Sequence, residues 1–344
     1  MLKKLQFGGT GDNMARLKIA DMEIGNTYES ALAVVSASSR TTRAGKPYLV
    51  MDLFDGIDKI VCNYWDWSGD SMPQVNTVYN FKVECSEYMG KKQLTCRKVK
   101  VNSTDNIEDF MPTGGADLTR VYQDFYAMIV DLEDDFYREL GLALCERLQG
   151  LLVHAPGALS VHHAYMGGTL VHSLSVGKLS KAMAEQIDGA WVDLATIGGL
   201  LHDIGKLFTY NLDGLNISYT EDGQLLEHVF IGANLVDNTA EAFIKDEFDE
   251  IKVRLLLHVI LSHHQKLEYG SPVTPRCIEA WIVSHCDALD ATCESIRAAA
   301  SKVGNVRFTD KIWSAGNVPH YTPQAIAALK NKKHIVGIYD ALNG

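Results

Sequence analysis

The chain of 344 residues is 47 % hydrophobic and 22 % charged, which suits two soluble domains that each bury a core without staples. Its 28 glycines and 8 prolines exclude collagen-like and low-complexity architectures. A net charge of −11 argues against a surface coated with cations for nucleic acid, although it leaves room for a local basic groove. Seven scattered cysteines without a Cys-x-x-Cys pair fit a reducing compartment. No apolar run is long enough to cross a bilayer, and Met1-Leu2-Lys3-Lys4 leads into Gly8-Gly9-Thr10-Gly11 rather than into a signal-peptide core. A cytoplasmic protein with no membrane partner is expected.

In chain order, residues 1–14 are expected to be a flexible start and 15–104 an all-β domain, the two together carrying a charge of +3. Residues 27–37, 48–54, 59–66, 77–85 and 92–101 read as five short strands, with polar turns at 40–46 and 88–91 and an Asp55-Gly56 hairpin signal. Five strands in about 80 residues suggest a small barrel of the OB type, a fold that binds single strands by stacking bases on aromatic rings and pairing phosphates with cations. The candidates for this work are Tyr48, Phe54, Tyr64, Trp65 and Trp67 with Arg40, Arg43, Lys46, Lys91 and Lys92; Arg43, Lys46, Tyr48 and Trp65 are singled out as substrate-binding. Turn formers cluster over 105–117, read as the linker. Residues 105–155 carry −8, and the run Asp131-Leu132-Glu133-Asp134-Asp135 reads as a solvated helix face, because Val121, Phe125, Met128 and Leu132 recur at helical spacing.

Residues 118–323 read as a second, all-α domain, with 324–344 as a C-terminal extension. Helical periodicity covers 169–185, 191–208, 251–262 and 278–296, with Asp193 as a starter of the second. Embedded in or beside these apolar segments are His172, His202-Asp203, His228, His263-His264 and Asp287. Buried charge is costly unless paired or bound to metal, so a group of imidazoles and carboxylates placed in this way points to a metal centre. Nitrogen and oxygen donors without thiolate favour Mn, Fe, Co or Zn in a catalytic site over a structural zinc cage. His258 reads as a core histidine.

The set His172, His202-Asp203 and Asp287 resembles the ligand signature of the HD phosphohydrolase superfamily. The segments His162-His163-Ala164-Tyr165-Met166-Gly167-Gly168-Thr169-Leu170-Val171-His172, Gly199-Leu200-Leu201-His202-Asp203-Ile204-Gly205-Lys206, Leu261-Ser262-His263-His264 and Asp287-Ala288-Leu289-Asp290-Ala291 resemble the YhaM family of 3′–5′ exoribonucleases. The N-terminal Arg40-Thr41-Thr42-Arg43-Ala44-Gly45-Lys46-Pro47-Tyr48-Leu49 is similar to that family's OB domain, and the likeness spans roughly 20–323.

The resemblance implies a multidomain chain, an OB barrel followed by an all-α HD domain. It implies that His172, His202, Asp203 and Asp287 hold one divalent metal and that His228, His263 and His264 hold a second, with Asp203 bridging. Manganese is the expected ion, with Fe, Co, Mg or Zn as alternatives. Lys206, one turn after His202-Asp203, is expected to contact phosphate or protonate the leaving oxygen, which makes it catalytic beside Asp203; His162, His163 and Tyr165 are expected at the substrate. The activity implied is 3′–5′ hydrolysis of single-stranded RNA, with DNA as a further substrate, by a homo-oligomer. A phosphohydrolase acting on a small or cyclic nucleotide is the alternative, although Gly270-Ser271-Pro272 departs from the Gly-Tyr-Pro signature of cyclic-di-GMP hydrolases. A non-catalytic nucleic-acid-binding protein with a relic site is the third reading.

Overall fold

A computed structural model describes residues 17–69, 71–111, 114–159, 163–304 and 306–330. The expected flexible start at 1–14, the candidate His162 and most of the 324–344 extension lie outside the described residues. The chain divides into two compact units, one of residues 1–119 with 211–218 and one of 120–210 with 219–344.

The first unit contains a closed barrel of five strands, β1 (Thr27–Thr41), β2 (Pro47–Phe54), β3 (Lys59–Tyr64), β4 (Thr77–Tyr88) and β5 (Lys91–Val101), in the order β1-β2-β3-β5-β4. This is the Greek-key order of an OB-like barrel. Antiparallel pairs make most of the wall, and a short parallel pairing of Cys62 with Leu94 and Asn63 with Thr95 joins β3 to β5. Register shifts at Val34/Ser36 in β1 and Lys82/Val83 in β4 mark irregularities, and such bulges bend strands enough for a sheet to curl. Alternation then points Leu32, Val34, Leu49, Met51, Leu53, Phe81, Val83 and Leu94 inward.

The turns follow local chemistry. The Asp55 carboxylate accepts the N–H groups of Ile57 and Asp58 at 2.8 and 2.7 Å, and Gly56 takes φ +98, as an Asx-stabilised turn requires. Met89-Gly90, both with positive φ, link β4 to β5 in two residues. Strand β1 runs on to Thr41, past the expected end at 37, because β2 pairs with Arg40 and Thr41 through Tyr48 and Pro47; the turn itself narrows to residues 42–46.

The second unit is helical, with α1 (Leu118–Val130), α2 (Asp135–Leu152), α3 (Gly168–Ala184), α4 (Val192–Leu201), α5 (Lys206–Thr209), α6 (Glu221–Ala240), α7 (Glu247–Ser262), α8 (Ile278–Lys302) and α9 (Pro323–Lys330). Phe125, Ile129, Leu140, Leu144, Leu170, Ile197, Leu200, Val236, Leu256, Val259 and Val283 form its core. Among the described residues, no helix is long and apolar enough to cross a membrane.

Three expectations are corrected here. The acidic run 131–135 is not a helix face: residues 131–134 connect α1 to α2 and Asp135 opens α2, with Asp131, Glu133 and Asp135 exposed. Its Asp134 caps α2 by accepting from the Tyr137 N–H and forms a largely buried ion pair with Lys252 at 2.9 Å, so tertiary pairing outweighs periodicity. Asp193 lies in the first turn of α4, and its carboxylate accepts the Asp134 N–H at 2.6 Å rather than capping its own helix. The all-α domain expected over 118–323 is interrupted at residues 210–219. These form a hairpin, β6 (Tyr210–Asp213) and β7 (Asn216–Tyr219), whose tip belongs to the barrel unit. There the Asn76 side chain donates to the Asp213 carbonyl at 2.8 Å and accepts from the Leu215 N–H at 3.1 Å, while Leu215 packs near Phe54, Val78 and Phe110.

Candidate metal centre

Helix α3 supplies His172, α6 supplies His228, and α8 supplies Asp287. His202-Asp203 follows α4, and His263-His264 follows α7. The expected single helix over 191–208 is broken at residues 202–205, and the break delivers the His-Asp pair. Gly205 allows it: a Cβ there would lie 2.0 Å from the His228 carbonyl oxygen, so only glycine lets this turn press against the backbone that carries His228. On the opposite side α6 is kinked at Glu227, with φ 61 and ψ 155, immediately before His228. Gln265, just after His263-His264, also has positive φ. Backbone conformations that non-glycine residues rarely adopt are held only where the surroundings over-determine them, and they cluster at functional sites.

The donors converge on Asp203, which is 1 % exposed. His172 Nε2 lies 3.1 Å from Asp287 Oδ1, 3.4 Å from Asp203 Oδ2 and 3.2 Å from His202 Nε2, and His202 Nε2 is 3.3 Å from Asp203 Oδ2. On the other oxygen, His228 Nε2 and His263 Nε2 lie 3.4 and 3.7 Å from Asp203 Oδ1. Within 4.8 Å of one another, donor atoms fall into overlapping groups that include His172/His202/Asp287, His202/Asp203/His263 and His228/His263/His264. The structure therefore brings together all seven metal ligands expected from sequence, with Asp203 between the two sets.

The fit to a cation rests on unmet hydrogen-bonding capacity. Asp203 Oδ1, both ring nitrogens of His228 and His263 Nε2 are buried without a hydrogen-bond partner. Leaving such groups unmet costs about 1–3 kcal/mol each, which a cation between Asp203 Oδ1, His228 Nε2 and His263 Nε2 would remove for those three atoms, while His228 Nδ1 faces Glu227 Oε2 at 3.7 Å.

The histidines are oriented for ligation. Their Nδ1 atoms pair with carbonyls, His202 with Gly199 at 2.9 Å, His263 with Ile260 at 2.7 Å and His264 with Tyr269 at 2.7 Å; a donating Nδ1–H leaves each Nε2 as the ligand atom. Burial, followed by the neighbouring His264 and His202, holds His263 well below the usual histidine range, and burial with His228 lowers His264. Both are thereby kept as neutral imidazoles with a free lone pair. Burial also pushes His172 down, but the carboxylates of Asp287 and Asp290 more than offset it and raise it to about 9. The Asp203 carboxyl, pushed up by burial, is held well below its usual range by Lys206 and His202.

Lys206 Nζ stands 2.7 Å from Asp203 Oδ2 and is largely buried, so its charge sits against the cluster, where the sequence places it. His163 differs from expectation. It is 3 % exposed and its Nε2 meets Asp290 at 2.9 Å, while Tyr165 Oη meets its Nδ1 at 2.8 Å. His163 is thus engaged in the protein interior, with the half-buried Tyr165 beside it. Asp290 itself had no assigned role. Its carboxylate receives His172 Nδ1 at 2.7 Å, His163 Nε2 and the Ser175 hydroxyl. Its position three residues after Asp287 was the available signal, since that spacing returns to the same helix face.

In the barrel, Tyr48 and Trp65 stack with ring centroids 4.4 Å apart, and Trp65 is 41 % exposed. Arg43 is exposed, and Lys46 is exposed and paired with Asp66 at 3.3 Å. Of the other candidates, Arg40, Lys91 and Lys92 are exposed and the three rings are drawn into the fold. Phe54 is core, Tyr64 and Trp67 pack against the barrel core, and Lys92 donates to the Ile19 and Ala20 carbonyls.

Residues 169–292 match the family described as HD domain. That span holds all seven clustered ligands, Lys206, Ser175 and Asp290, and excludes His163 and Tyr165. No solved structure matches the chain. The match and the donor set agree on a metal-dependent phosphohydrolase joined to an OB-like barrel.

Proposed function

We propose that this protein is a metal-dependent 3′–5′ exonuclease for single-stranded nucleic acid, with RNA preferred to DNA and Mn²⁺ as the resident ion at two positions. The observation that carries the reading is the occurrence, in one chain, of the double ligand set around Asp203 and of a barrel surface bearing Tyr48, Trp65, Arg43 and Lys46. A site for a small nucleotide has no need of the second, whereas a long strand gains affinity from stacked rings and cations.

Asp287, His172 and His202 would hold one ion, and His228, His263 and His264 the other, with one oxygen of Asp203 toward each. A divalent cation bound there supplies Lewis acidity toward phosphoryl oxygens and makes water a competent nucleophile near neutral pH. Lys206 adds a fixed positive charge beside Asp203. Its Nζ can stabilise negative charge gathering on the phosphoryl group and deliver a proton to the departing 3′ oxygen. Trp65 and Tyr48 hold unstacked bases, which restricts the substrate to single strands, since opening a duplex costs free energy that stacking on two rings does not return.

The test uses a 5′-labelled RNA or DNA strand, the same strand with a blocked 3′ end, a circular strand and a blunt duplex, each with Mn²⁺ or Mg²⁺. The proposal expects a ladder that shortens from the 3′ end on the free strand alone. Equal cleavage of the circle, or mononucleotides released first from the 5′ end, would remove the exonuclease reading and leave a phosphohydrolase for small or cyclic nucleotides.

A further inference from the structure

Asp290 lies one layer behind the ligands. It is buried on α8, three residues beyond Asp287, and three donors converge on its two oxygens: His172 Nδ1 at 2.7 Å, His163 Nε2 at 2.9 Å and the Ser175 hydroxyl. One assignment of protons satisfies every atom in the chain. The Tyr165 hydroxyl donates to His163 Nδ1, His163 Nε2–H and His172 Nδ1–H donate to Asp290 Oδ2, and Ser175 donates to Oδ1. With Nδ1 committed in this way, His172 turns Nε2 toward Asp287, Asp203 and His202.

The backbone at His163 is built to hold this arrangement. His163 has φ +54, costly for a residue with a side chain, and its carbonyl accepts the N–H groups of Gly157 at 2.9 Å and Tyr165 at 2.8 Å. A Cβ on Gly168 would lie 2.0 Å from that same oxygen, so the start of α3 is closed tightly over the turn. The strained turn has one evident result, an imidazole delivered from outside the matched span to a carboxylate 127 residues away.

We infer that Asp290 is a positioning residue of the metal centre, orienting His172, and that His163 and Ser175 hold the Asp290 carboxylate in place. The two ligand sets are then unequally supported. The imidazoles of His202, His263 and His264 are oriented by backbone carbonyls, and His228 Nδ1 has the exposed Glu227 carboxylate at 3.7 Å, outside hydrogen-bond reach, whereas His172 is oriented by a hydrogen-bonded carboxylate with its own buried supports. Carboxylate-backed histidines bind metal more tightly, and loss of such a partner typically weakens metal affinity by ~10–100-fold. The inference rests on the cluster being a metal centre and is independent of which phosphodiester it cleaves.

The experiment is a Co²⁺ titration of the full chain, followed by visible absorption, in two backgrounds. His228→Ala with His264→Ala leaves the His172 set, and His202→Ala with Asp287→Ala leaves the His228/His263/His264 set. Asp290→Asn is expected to weaken Co²⁺ binding by about 10–100-fold in the first background and to leave it unchanged in the second. Equal weakening in both, or none in the first, overturns the inference. His163→Gln, which retains a donor, should bind more tightly than His163→Ala in the first background; equal losses would remove His163 from the arrangement. ¹⁵N-histidine NMR gives an independent readout, since the Nδ1–H resonance of His172 should shift in Asp290→Asn. If Asp290→Asn fails to fold by circular dichroism, Ser175→Ala carries the same comparison with a smaller expected loss. A native chain that takes up no Co²⁺ would remove the metal-centre reading and this inference with it.

Discussion

The barrel and the helical unit use charge in opposite ways. Around Asp203 the helical unit buries carboxylates, imidazoles and an ammonium in mutual contact. The barrel fills its interior with Leu32, Leu49, Met51, Phe81 and Leu94 and leaves Arg43 and Lys46 in solvent. Low dielectric makes each buried charge depend on its partners, whereas water screens the exposed ones. Substitutions around Asp203 should therefore act as all-or-none events and those on the barrel surface as graded ones.

The sharpest break is Asp203→Ala, which removes the oxygens shared by both ligand sets. Hydrolysis should fall by about 1000-fold or more, and metal content by elemental analysis should fall with it while the helical fold survives. Full activity in this variant would abolish the contrast. Lys206→Ala should lower kcat by ~100-fold, the scale of a lost proton donor or charge, while the bound metal is retained. An equal loss of metal would recast Lys206 as a support for Asp203.

On the barrel, Trp65→Ala should raise KM for a long single strand by ~10-fold, in line with about 1–3 kcal/mol per stacked base, and change kcat much less. A kcat effect as large as the KM effect would place Trp65 in the chemistry. Smallest is Lys46→Ala. The exposed Lys46–Asp66 pair contributes about 0–1 kcal/mol to stability, so the melting temperature should hardly move. Strand affinity should weaken a few-fold, with the salt slope reduced by ~1. An unchanged slope would show that Lys46 meets no phosphate.

Much of this was legible because the signals are local. The five strands follow from alternation and from Asp55-Gly56 and Met89-Gly90, whose backbone needs are met within a few residues. The ligand histidines stand out because titratable groups beside apolar runs must find partners or a metal. The acidic run at 131–135 was misread for a matching reason: a helical period says nothing about a lysine more than a hundred residues away, and Lys252 is what Asp134 meets.

The order barrel-then-helices, the ligand residue types and the presence of Lys206 one turn after His202-Asp203 were determined by the sequence alone, since each depends on spacing and side-chain chemistry. Tertiary structure decided the rest. It broke the 191–208 segment at residues 202–205, where Gly205 meets the His228 backbone, kinked α6 at Glu227 and folded 210–219 into a hairpin. It also set Asp290 between His163 and His172, 127 and 118 residues away. The physical reason is common to all four. A hydrogen bond or close backbone approach between distant segments fixes a side chain to within fractions of an ångström, and no periodicity within either segment encodes where the other will lie.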